Sequence, residues 1–469
     1  MQETMTVLHE IMRISRADPD RPALTELSGD RTVSYGELAR AARAYARTAP
    51  FVSHRALVLP PGIALMTALL GTWWNGGTAV VLNPRAPQTE RAAILGRLPD
   101  VDEVEDVDVR GLLAESEAAV GEPAARGEVT AVILGTSGTS GVPKLVPLRH
   151  DNLLASFRQT HRRVPFRAGE RVLTALPAFH VAGLNLTLLQ PLAAGAHVLV
   201  QDRFDPERFL HAAQTRGATR TNLVPRMADM LIEAAPGDAD LSAMTVSCGG
   251  SALYAPTADA FQDRFGTPLR PGYGLTETCS LTHHVSRDDA PGEGGVGRPL
   301  PETEHRIVDE HGDDVAAGEI GEVLLRGPQI TAGYLGAEAF PGGWLRTGDL
   351  GRVDEHDRLA IVGRRSELID YNAHLISPGE LESHLLKHPA VLDAAVIGRR
   401  DPAHGEIPVG VVVLDREVPL EELFDAVRVH VSPHKRLRGI AVVDEIPRTP
   451  SGKPLRRELQ ERELRIVAP

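Results

Sequence analysis

A glycine- and hydroxyl-rich loop that ends in a lysine is the first stretch of this sequence whose residue types could do chemistry. It closes the segment VTAVILGTSGTSGVPK, residues 129–144. Glycines let backbone N–H groups approach an anion, hydroxyls add donors, and a lysine adds a positive charge. The pattern predicts a cradle for a polyphosphate, formed by Thr136, Ser137, Gly138, Thr139, Ser140, Gly141 and Lys144.

This loop is not a Walker A loop, because Val142 and Pro143 separate its last glycine from the lysine. Clusters of glycine, serine and threonine are also common in surface linkers that bind nothing. The apolar, strand-like run before the loop favours the phosphate interpretation, and the motifs further along the chain favour it more strongly.

Length, charge and cysteine content limit the classes of protein that this chain can be. Its 469 residues predict two or three domains, and a formal net charge of -13 argues against a nucleic acid or an anionic membrane surface as partner. Cys248 and Cys279 are the only cysteines, too few for a disulfide framework and without metal-ligand spacing. The N-terminal residues lack the apolar core of a signal peptide, so we expect a cytoplasmic protein.

One stretch, residues 172–200, contains no Asp, Glu, Lys or Arg. Pro177, His180, Asn185, Gln190 and Pro191 interrupt it, so it predicts a buried strand, turn and helix and no membrane span.

Short apolar runs alternate with helical patterns through most of the chain. Residues 56–59 and 78–82 are predicted strands on either side of a predicted helix over residues 63–74, and this alternation is typical of parallel α/β layers. Residues 305–308 and 322–326 predict strands of a smaller β unit. From residue 363 onward the pattern predicts a small α+β domain with helices at 378–387 and 420–431.

Six motifs, read together and in order, indicate a family. They are GTSGTSGVPK, PAFHVAG from Pro177, GYGLTET from Gly272, WLRTGDLG from Trp344, GRRSELID from Gly363, and PRTPSGKPLRREL from Pro447. With them the chain resembles the adenylate-forming superfamily of acyl-CoA synthetases, luciferases and peptide-synthetase adenylation domains, over nearly its whole length. The resemblance implies an α/β fold with a large N-terminal domain of layered α/β subdomains plus a small β unit, residues 1–365. It also implies a mobile α+β C-terminal domain, residues 366–469.

The resemblance also implies the reaction, in which a carboxylate attacks the α-phosphorus of ATP and expels pyrophosphate. The nucleophile is already ionised, so catalysis depends on positioning and charge neutralisation. By resemblance, the loop up to Lys144 holds the β- and γ-phosphates, Tyr273 packs on adenine, Thr276 reaches the α-phosphate, and Glu277 binds Mg²⁺. Gly272 is a further candidate for nucleotide binding. A carboxylate suits Mg²⁺, which prefers hard oxygen ligands shared with substrate phosphates.

Three more residues gain a function through the resemblance. Asp349 is expected to accept hydrogen bonds from the ribose hydroxyls, and Arg364 to donate to the same sugar. Lys453 corresponds to the catalytic lysine that bridges the substrate carboxylate and the α-phosphate. Taken singly, Asp349 is more often a turn-forming aspartate and Arg364 a solvated surface charge.

The acid is expected to bind beside the second motif. His180 is a candidate gate of this pocket, although a lone histidine in an apolar run is more often a buried structural residue. The candidate pocket walls are Val181, Gly183, Gly249, Gly250 and Cys279, with core packing as the alternative. His283 and His284 either face the pocket or end a strand.

The sequence departs from the family at three positions. Ser366 stands at the pivot between the domains, where Asp or Lys is usual, Ala373 replaces a glycine of the pantetheine tunnel, and Leu145 replaces the glycine after the loop lysine. The leading hypothesis is a ligase that forms the acyl-adenylate of a small carboxylic acid and transfers the acyl group to CoA. The alternatives are another acceptor, such as an amine or a carrier-protein thiol, an ATP-dependent diazotase that activates nitrite, and a non-catalytic nucleotide sensor.

Overall fold

The computed structural model describes residues 5–114, 122–136, 143–167, 169–237, 239–287, 289, 295–372, 374–449 and 452–469. The α-helices are α1 Val7–Ala17, α2 Tyr35–Thr48, α3 Ile63–Trp74, α4 Gln88–Leu95, α5 Val109–Ala114, α6 His150–Arg163, α7 Gln190–Ala193, α8 Pro206–Thr215, α9 Pro225–Ala234, α10 Ala255–Phe265, α11 Pro378–Leu385, α12 Leu420–Arg428 and α13 Arg456–Glu461. A π-helical segment spans Ala182–Leu189, and 3₁₀ turns span Thr276–Thr278, Pro341–Gly343, Arg365–Glu367 and Pro433–Lys435.

The strands form four sheets. They are β1 Pro22–Glu26, β2 Arg31–Ser34, β3 His54–Leu57, β4 Thr78–Val81, β5 Val101–Val104, β6 Thr130–Thr136, β7 Lys144–Arg149, β8 Arg171–Thr174, β9 His197–Val200, β10 Arg220–Leu223, β11 Thr245–Cys248, β12 Leu269–Leu275, β13 Ser280–His284, β14 Arg298–Pro299, β15 Glu304–Val308, β16 Gly321–Arg326, β17 Leu345–Val353, β18 Leu359–Arg364, β19 Ile369–Tyr371, β20 His374–Ile376, β21 Val391–Asp401, β22 Gly405–Leu414 and β23 Gly439–Val442.

Two sheets with parallel centres build the larger lobe. The nine-stranded sheet has the order β14-β13-β12-β11-β10-β8-β9-β1-β2, and the five-stranded sheet has the order β5-β3-β4-β6-β7. The strands from β1 through β9, β8, β10 and β11 to β12 pair in parallel, as do β5, β3, β4 and β6. Helices α2 and α3 pack in the largest apolar cluster, because nearly every side chain of α3 is apolar and buried. This lobe is the layered α/β domain that the alternating pattern predicts.

A small antiparallel sheet, β15-β16-β17-β18, follows the larger lobe along the chain. The C-terminal lobe begins after it and contains the sheet β20-β19-β22-β21, with β23 paired in parallel to β22. Helices α11 and α12 cover the apolar face of this sheet through Leu381, Leu385, Leu423 and Val427. The predicted β unit and α+β domain are therefore both present.

The predicted positions of several elements agree with the structure to within a few residues. The helix predicted over residues 63–74 is α3, and the strands predicted around it are β3 and β4. The uncharged stretch 172–200 folds as β8, the π-helical segment with α7, and β9. Among the described residues, no helix is both long enough and apolar enough to cross a membrane.

Candidate active site

Asp349 lies at the centre of a hydrogen-bonded group of three predicted site residues. Its Oδ1 accepts from Arg364 Nε at 2.7 Å, and its Oδ2 accepts from the Tyr273 hydroxyl at 2.6 Å. The antiparallel register of β17 and β18 sets Asp349 directly opposite Arg364, while β12 supplies Tyr273. Burial and the Asp349 carboxylate both raise the pKa of Tyr273, so the phenol stays a donor. The structure thus brings together three residues from three different motifs of the sequence.

Glu277 occupies a 3₁₀ turn between β12 and β13, together with Thr276. The Glu277 side chain is 9% exposed, and its Oε1 accepts a hydrogen bond from the Tyr334 hydroxyl at 2.8 Å. Among the described residues no other side chain donates to this carboxylate, so its second oxygen stays available to a ligand. Tyr334 was not predicted as a site residue. Its position in the run ITAGYLG gives no chemical signal, and only the fold places it beside Glu277.

The backbone after Glu277 is strained and held by buried side chains. Cys279 and Ser280 have φ angles of 53° and 94°, in a region that favours glycine. The Cys279 carbonyl accepts from Asn185 Nδ2 at 2.6 Å and from Ser156 Oγ at 3.1 Å, and Gln190 Nε2 donates to the same serine hydroxyl at 3.1 Å. Asn185, Ser156 and Gln190, which we call the polar clamp, are nearly inaccessible to solvent. The clamp fixes the turn that carries Thr276 and Glu277, because a buried carbonyl without a partner is costly.

Strands β6 and β7 form the hairpin that carries the predicted phosphate loop. Thr136 pairs with Lys144 at the end of the hairpin next to the loop, and the Lys144 ammonium lies 4.5 Å from the centre of the Tyr334 ring. The remaining predicted loop residues lie outside the described residues; they are Ser137, Gly138, Thr139, Ser140 and Gly141. Leu145, the departure from the family pattern, is buried in an apolar cluster with Ile133.

Lys453 belongs to the C-terminal lobe but lies near Asp349 and Glu277, and we call the region between these residues the cleft. Burial and the Arg364 charge lower the pKa of the Lys453 ammonium, while the charges of Asp349, Glu367 and Glu277 oppose this shift. A short turn presents the lysine: its backbone N–H donates to Thr449 Oγ1 at 3.1 Å, and Gly452 adopts a φ of 86°. The sequence motif around Lys453 therefore approaches Asp349 and Glu277 only in the folded chain.

The two lobes are joined beside this cleft by a hydrogen bond whose acceptor is held by an ion pair within the C-terminal lobe. The Tyr254 hydroxyl at the start of α10 donates to Glu382 Oε2 on α11 at 2.7 Å. Arg456 pairs with Glu382 at 2.5 Å and with Glu367 at 3.4 Å. We call the contact between Tyr254 and Glu382 the clasp. Ser366 is exposed in the 3₁₀ turn Arg365–Glu367, and Ala373 lies outside the described residues.

His180 precedes the π-helical segment and is largely buried. Its Nε2 has no hydrogen-bond partner among the described residues, and burial together with the Lys453 charge lowers its pKa to about 4. The imidazole is therefore neutral at pH 7. Gly183 lies where a Cβ would stand 2.1 Å from the Pro177 carbonyl oxygen, so only glycine lets the backbone pass. π-Helical segments often occur at functional sites.

The other candidate wall residues lie around the same region. Val181 and Cys279 pack in the largest apolar cluster, and burial raises the pKa of the Cys279 thiol. Gly249 and Gly250 follow the end of β11, and a Cβ on Gly249 would stand 2.7 Å from the carbonyl oxygen of Gly272. These positions leave both interpretations open, as pocket wall and as core packing.

His283 and His284 end strand β13 and are both buried. His283 Nε2 lies 2.9 Å from His305 Nδ1, and His284 Nε2 lies 3.0 Å from Ser247 Oγ. Burial lowers the pKa of His284 to about 3, and that of His283 also falls well below its usual range. The first histidine bonds to the small β unit and the second to β11.

Similarity to known proteins extends over both lobes. A family model described as AMP-binding enzyme matches residues 96–335, and one described as AMP-binding enzyme C-terminal domain matches residues 380–453. A 2-succinylbenzoate–CoA ligase of Bacillus cereus is 31% identical over 428 residues, which cover 87% of this chain and 88% of that protein. A sulfoacetate–CoA ligase of Cupriavidus necator is 33% identical over 406 residues, 84% of this chain and 78% of that protein.

A solved structure extends the similarity to three dimensions. The o-succinylbenzoate CoA synthetase from Bacillus subtilis, in complex with its acyl-adenylate intermediate, matches with a TM-score of 0.87 at 28% identity. The match covers 97% of this chain and 98% of that chain.

Proposed function

We propose that this chain, which belongs to the family of AMP-binding enzymes and is an ATP-dependent acid–CoA ligase, activates a small carboxylic acid that bears a second acidic group. The reaction uses ATP and Mg²⁺, releases pyrophosphate and AMP, and transfers the acyl group to CoA. Two similar proteins carry the names 2-succinylbenzoate–CoA ligase and sulfoacetate–CoA ligase. The first acid has two carboxyl groups, and the second has a sulfonate beside its carboxyl group. 2-Succinylbenzoate is therefore the first substrate to test.

One observation carries the assignment of the site, namely that Lys453 approaches Asp349, Glu277 and Arg364 across the two lobes. An acid and a triphosphate repel each other, and a lysine between them lowers that repulsion as the new bond forms. We therefore propose that Lys453 contacts the attacking carboxylate and the α-phosphate. Thr276 would donate to the α-phosphate, and Lys144 with the preceding loop would hold the departing pyrophosphate.

Glu277 fits a magnesium ion. Its carboxylate is nearly buried, one oxygen is held by Tyr334, and the other stays available. Mg²⁺ is commonly bound by one or two carboxylates plus substrate phosphates and water. Within the described chain no group of three or more His, Cys, Asp or Glu side chains could hold a metal, which agrees with an ion brought by ATP. When bound, the ion neutralises phosphate charge, and Glu277 would fix its place beside Thr276.

Asp349 and Arg364 are proposed to bind the ribose, and Gly272 and Tyr273 to contact the adenine. Each Asp349 oxygen already accepts one hydrogen bond, and a carboxylate oxygen has a second lone pair for a ribose hydroxyl. The ion pair with Arg364 holds the carboxylate in one orientation. The Asp349 carboxylate would thus already be oriented to accept hydrogen bonds from the ribose before the nucleoside binds.

The acid is proposed to bind between His180 and the strand ends. Because the His180 ring is neutral at pH 7, it would donate a hydrogen bond from an N–H without adding a charge. Val181, Gly183, Gly249, Gly250 and Cys279 remain proposed wall residues. The unpartnered Nε2 of His180 supports a polar contact with the bound acid.

Two wider assignments stay proposals. We place the boundary between the domains at residues 365 and 366, within the exposed turn Arg365–Glu367. We also propose a cytoplasmic location, which is supported by the two free, buried cysteines and by the use of ATP and CoA.

A substrate panel tests the proposal. Pyrophosphate release would be measured with ATP and each acid, with and without CoA, and thioesters would be identified by mass spectrometry. The panel pairs each acid with an analogue that lacks the second acidic group. 2-Succinylbenzoate is paired with 3-benzoylpropanoate, and sulfoacetate with acetate. Nitrite is included because adenylate-forming enzymes can activate it. We expect a diacid to exceed its analogue by at least about tenfold in kcat/KM, equal to about 1.4 kcal/mol.

Higher activity with a monoacid would overturn the proposed substrate class. Pyrophosphate release with nitrite alone would favour a diazotase, and an acyl-adenylate that persists in the presence of CoA would favour another acceptor. The Lys453→Ala variant supplies the background rate for every substrate.

A further inference from the structure

Residues 331–335, which we call the strap, run between the predicted phosphate loop and the Glu277 turn. Thr331 Oγ1 donates to the Pro147 carbonyl at 2.6 Å, and Leu335 N–H donates to the Leu145 carbonyl at 2.9 Å. Both acceptors belong to β7, the strand that begins with Lys144. The strap is therefore attached to the strand that carries the phosphate-binding lysine.

The same segment is attached to the Glu277 turn. Thr331 N–H donates to the Glu277 carbonyl at 2.9 Å, and the Tyr334 hydroxyl donates to the Glu277 carboxylate at 2.8 Å. One backbone bond and one side-chain bond thus hold the residue proposed to bind Mg²⁺. The residue just before the strap is anchored by Asn152 of α6, whose Nδ2 donates to the Ile330 carbonyl at 3.2 Å.

Tyr334 joins these two attachments in one side chain. Its hydroxyl bonds to Glu277, while its ring face lies 4.5 Å from the Lys144 ammonium, within the range of a cation–π contact. Phe340 packs edge-on against the ring, with centroids 5.6 Å apart, and limits its rotation. A single half-buried ring therefore contacts both the cation proposed for the pyrophosphate and the carboxylate proposed for the metal.

We infer that Tyr334 is a positioning residue that sets the Lys144 ammonium and the Glu277 carboxylate at a fixed separation, so that ATP and Mg²⁺ bind together. The inference rests on the proposed roles of Lys144 and Glu277. The hydroxyl acts on the metal side, because it orients the carboxylate and leaves one oxygen for the ion. The ring acts on the phosphate side, because it holds the lysine before the nucleotide arrives.

Two variants separate these contributions. Tyr334→Phe keeps the ring and removes the bond to Glu277, whereas Tyr334→Leu removes both. Calorimetric titration with α,β-methylene ATP, with and without Mg²⁺, measures nucleotide affinity without turnover. Tyr334→Phe should bind the nucleotide as tightly as wild type without Mg²⁺. The increase in affinity on adding Mg²⁺ should be at least about fivefold smaller than in wild type. Tyr334→Leu should also bind about two- to fivefold more weakly without Mg²⁺.

Tyr35→Phe is the matched control. The Tyr35 hydroxyl is buried in the core and donates to the Leu192 and Ala196 carbonyls at 3.0 and 2.8 Å, away from the proposed site. This variant should lower the thermal midpoint and leave the Mg²⁺-dependent gain unchanged.

The outcomes distinguish the inference from the proposed function. If wild-type protein binds the nucleotide with a Mg²⁺-dependent gain and Tyr334→Phe retains that gain in full, the positioning role of Tyr334 is wrong while the site assignment stands. If wild-type protein shows no Mg²⁺-dependent binding, the assignment of Glu277 and Lys144 is itself overturned.

Discussion

The two halves of the proposed site are held in different ways. In the larger lobe, the Glu277 turn is surrounded by the strap and the polar clamp, and its strained backbone at Cys279 is fixed by donors from α6 and the π-helical segment. In the C-terminal lobe, the turn that presents Lys453 is held mainly by its own neighbours: the Lys453 backbone N–H donates to Thr449 Oγ1, and Arg448 Nη1 donates to the Gly452 carbonyl at 2.7 Å.

Among the residues that the structure describes, polar bonds join the two halves. The clasp between Tyr254 and Glu382 is one of them, and Gly452 lies close to Arg226 of α9, with an ideal Cβ 3.5 Å from its side chain. Separating the lobes would break the clasp, whereas displacing the Glu277 turn would break the bonds of the polar clamp and of residues 331 and 334 together, which costs more. The difference leads us to treat the half proposed to bind the nucleotide as fixed and the half that carries Lys453 as separable.

The largest expected effect tests the separable half. Lys453→Ala should lower ATP–pyrophosphate exchange at least about a hundredfold, because the charge that neutralises the reacting anions is lost. Transfer from a supplied acyl-adenylate to CoA should be retained, since Glu277 and the acid pocket belong to the other lobe. Both rates are measured on the same preparation.

The control for this variant is Lys435→Ala. Lys435 belongs to the same lobe and pairs with Glu380 at 2.8 Å, outside the cleft. Exchange should stay within about twofold of wild type, as expected for a partly exposed ion pair. Equal loss of both half-reactions in Lys453→Ala would show that the lysine is not specific to adenylation.

The fixed half is tested by removing one member of the polar clamp. Asn185→Leu deletes the donor at 2.6 Å from the Cys279 carbonyl, and we expect the free energy of unfolding to fall by about 1–3 kcal/mol. Exchange should also fall about tenfold at a temperature where the variant is folded, because the turn that carries Thr276 and Glu277 loses its restraint. Urea titration and exchange assays measure the two effects.

Thr187→Val supplies the comparison for this clamp variant. Thr187 lies in the same π-helical segment, and its hydroxyl bonds to the Gly183 carbonyl and Thr174 Oγ1, both at 2.8 Å. It should lose a similar amount of stability and keep its exchange rate. If both variants reduce exchange to the same extent, the clamp has no particular effect on the Glu277 turn.

The smallest expected effect concerns the clasp. Tyr254→Phe removes a hydrogen bond to a carboxylate, so the arrangement with Lys453 in the cleft should become less populated and exchange should fall about three- to tenfold. Thioester formation from supplied acyl-adenylate should not fall. Tyr371→Phe removes a hydroxyl that contacts Arg438 within the C-terminal lobe at 3.3 Å, and it should change neither rate. A decrease of both rates in Tyr254→Phe would contradict a clasp specific to adenylation.

Much of the fold and several site residues could be predicted from the chain alone. Helix α3 was predictable because a long uninterrupted apolar run lies between two short strand-like runs. Asp349, Arg364, Glu277 and Lys453 were identified as candidates because each lies in a motif of fixed spacing, and motifs in the right order constrain one another. Their roles remain proposals.

Tyr334 and the polar clamp could not be predicted in this way. Tyr334 meets Glu277 across 57 residues, and Asn185 meets Cys279 across 94 residues. A tyrosine in a glycine-containing loop and an asparagine in an apolar helix have many ordinary explanations, and neither carries a local pattern. Their contacts depend on how α6, β7, β12 and the π-helical segment pack together.

The sequence by itself determined the chemistry and the family, because both depend on residue types at fixed local spacing. It also determined the alternating α/β architecture through apolar periodicity. The tertiary structure alone decided which side chains hold Glu277, that Lys453 approaches Asp349 and His180 in one cleft, and that His180 is neutral. These properties arise from burial and from distances between segments far apart in the chain, which no local pattern of residues encodes.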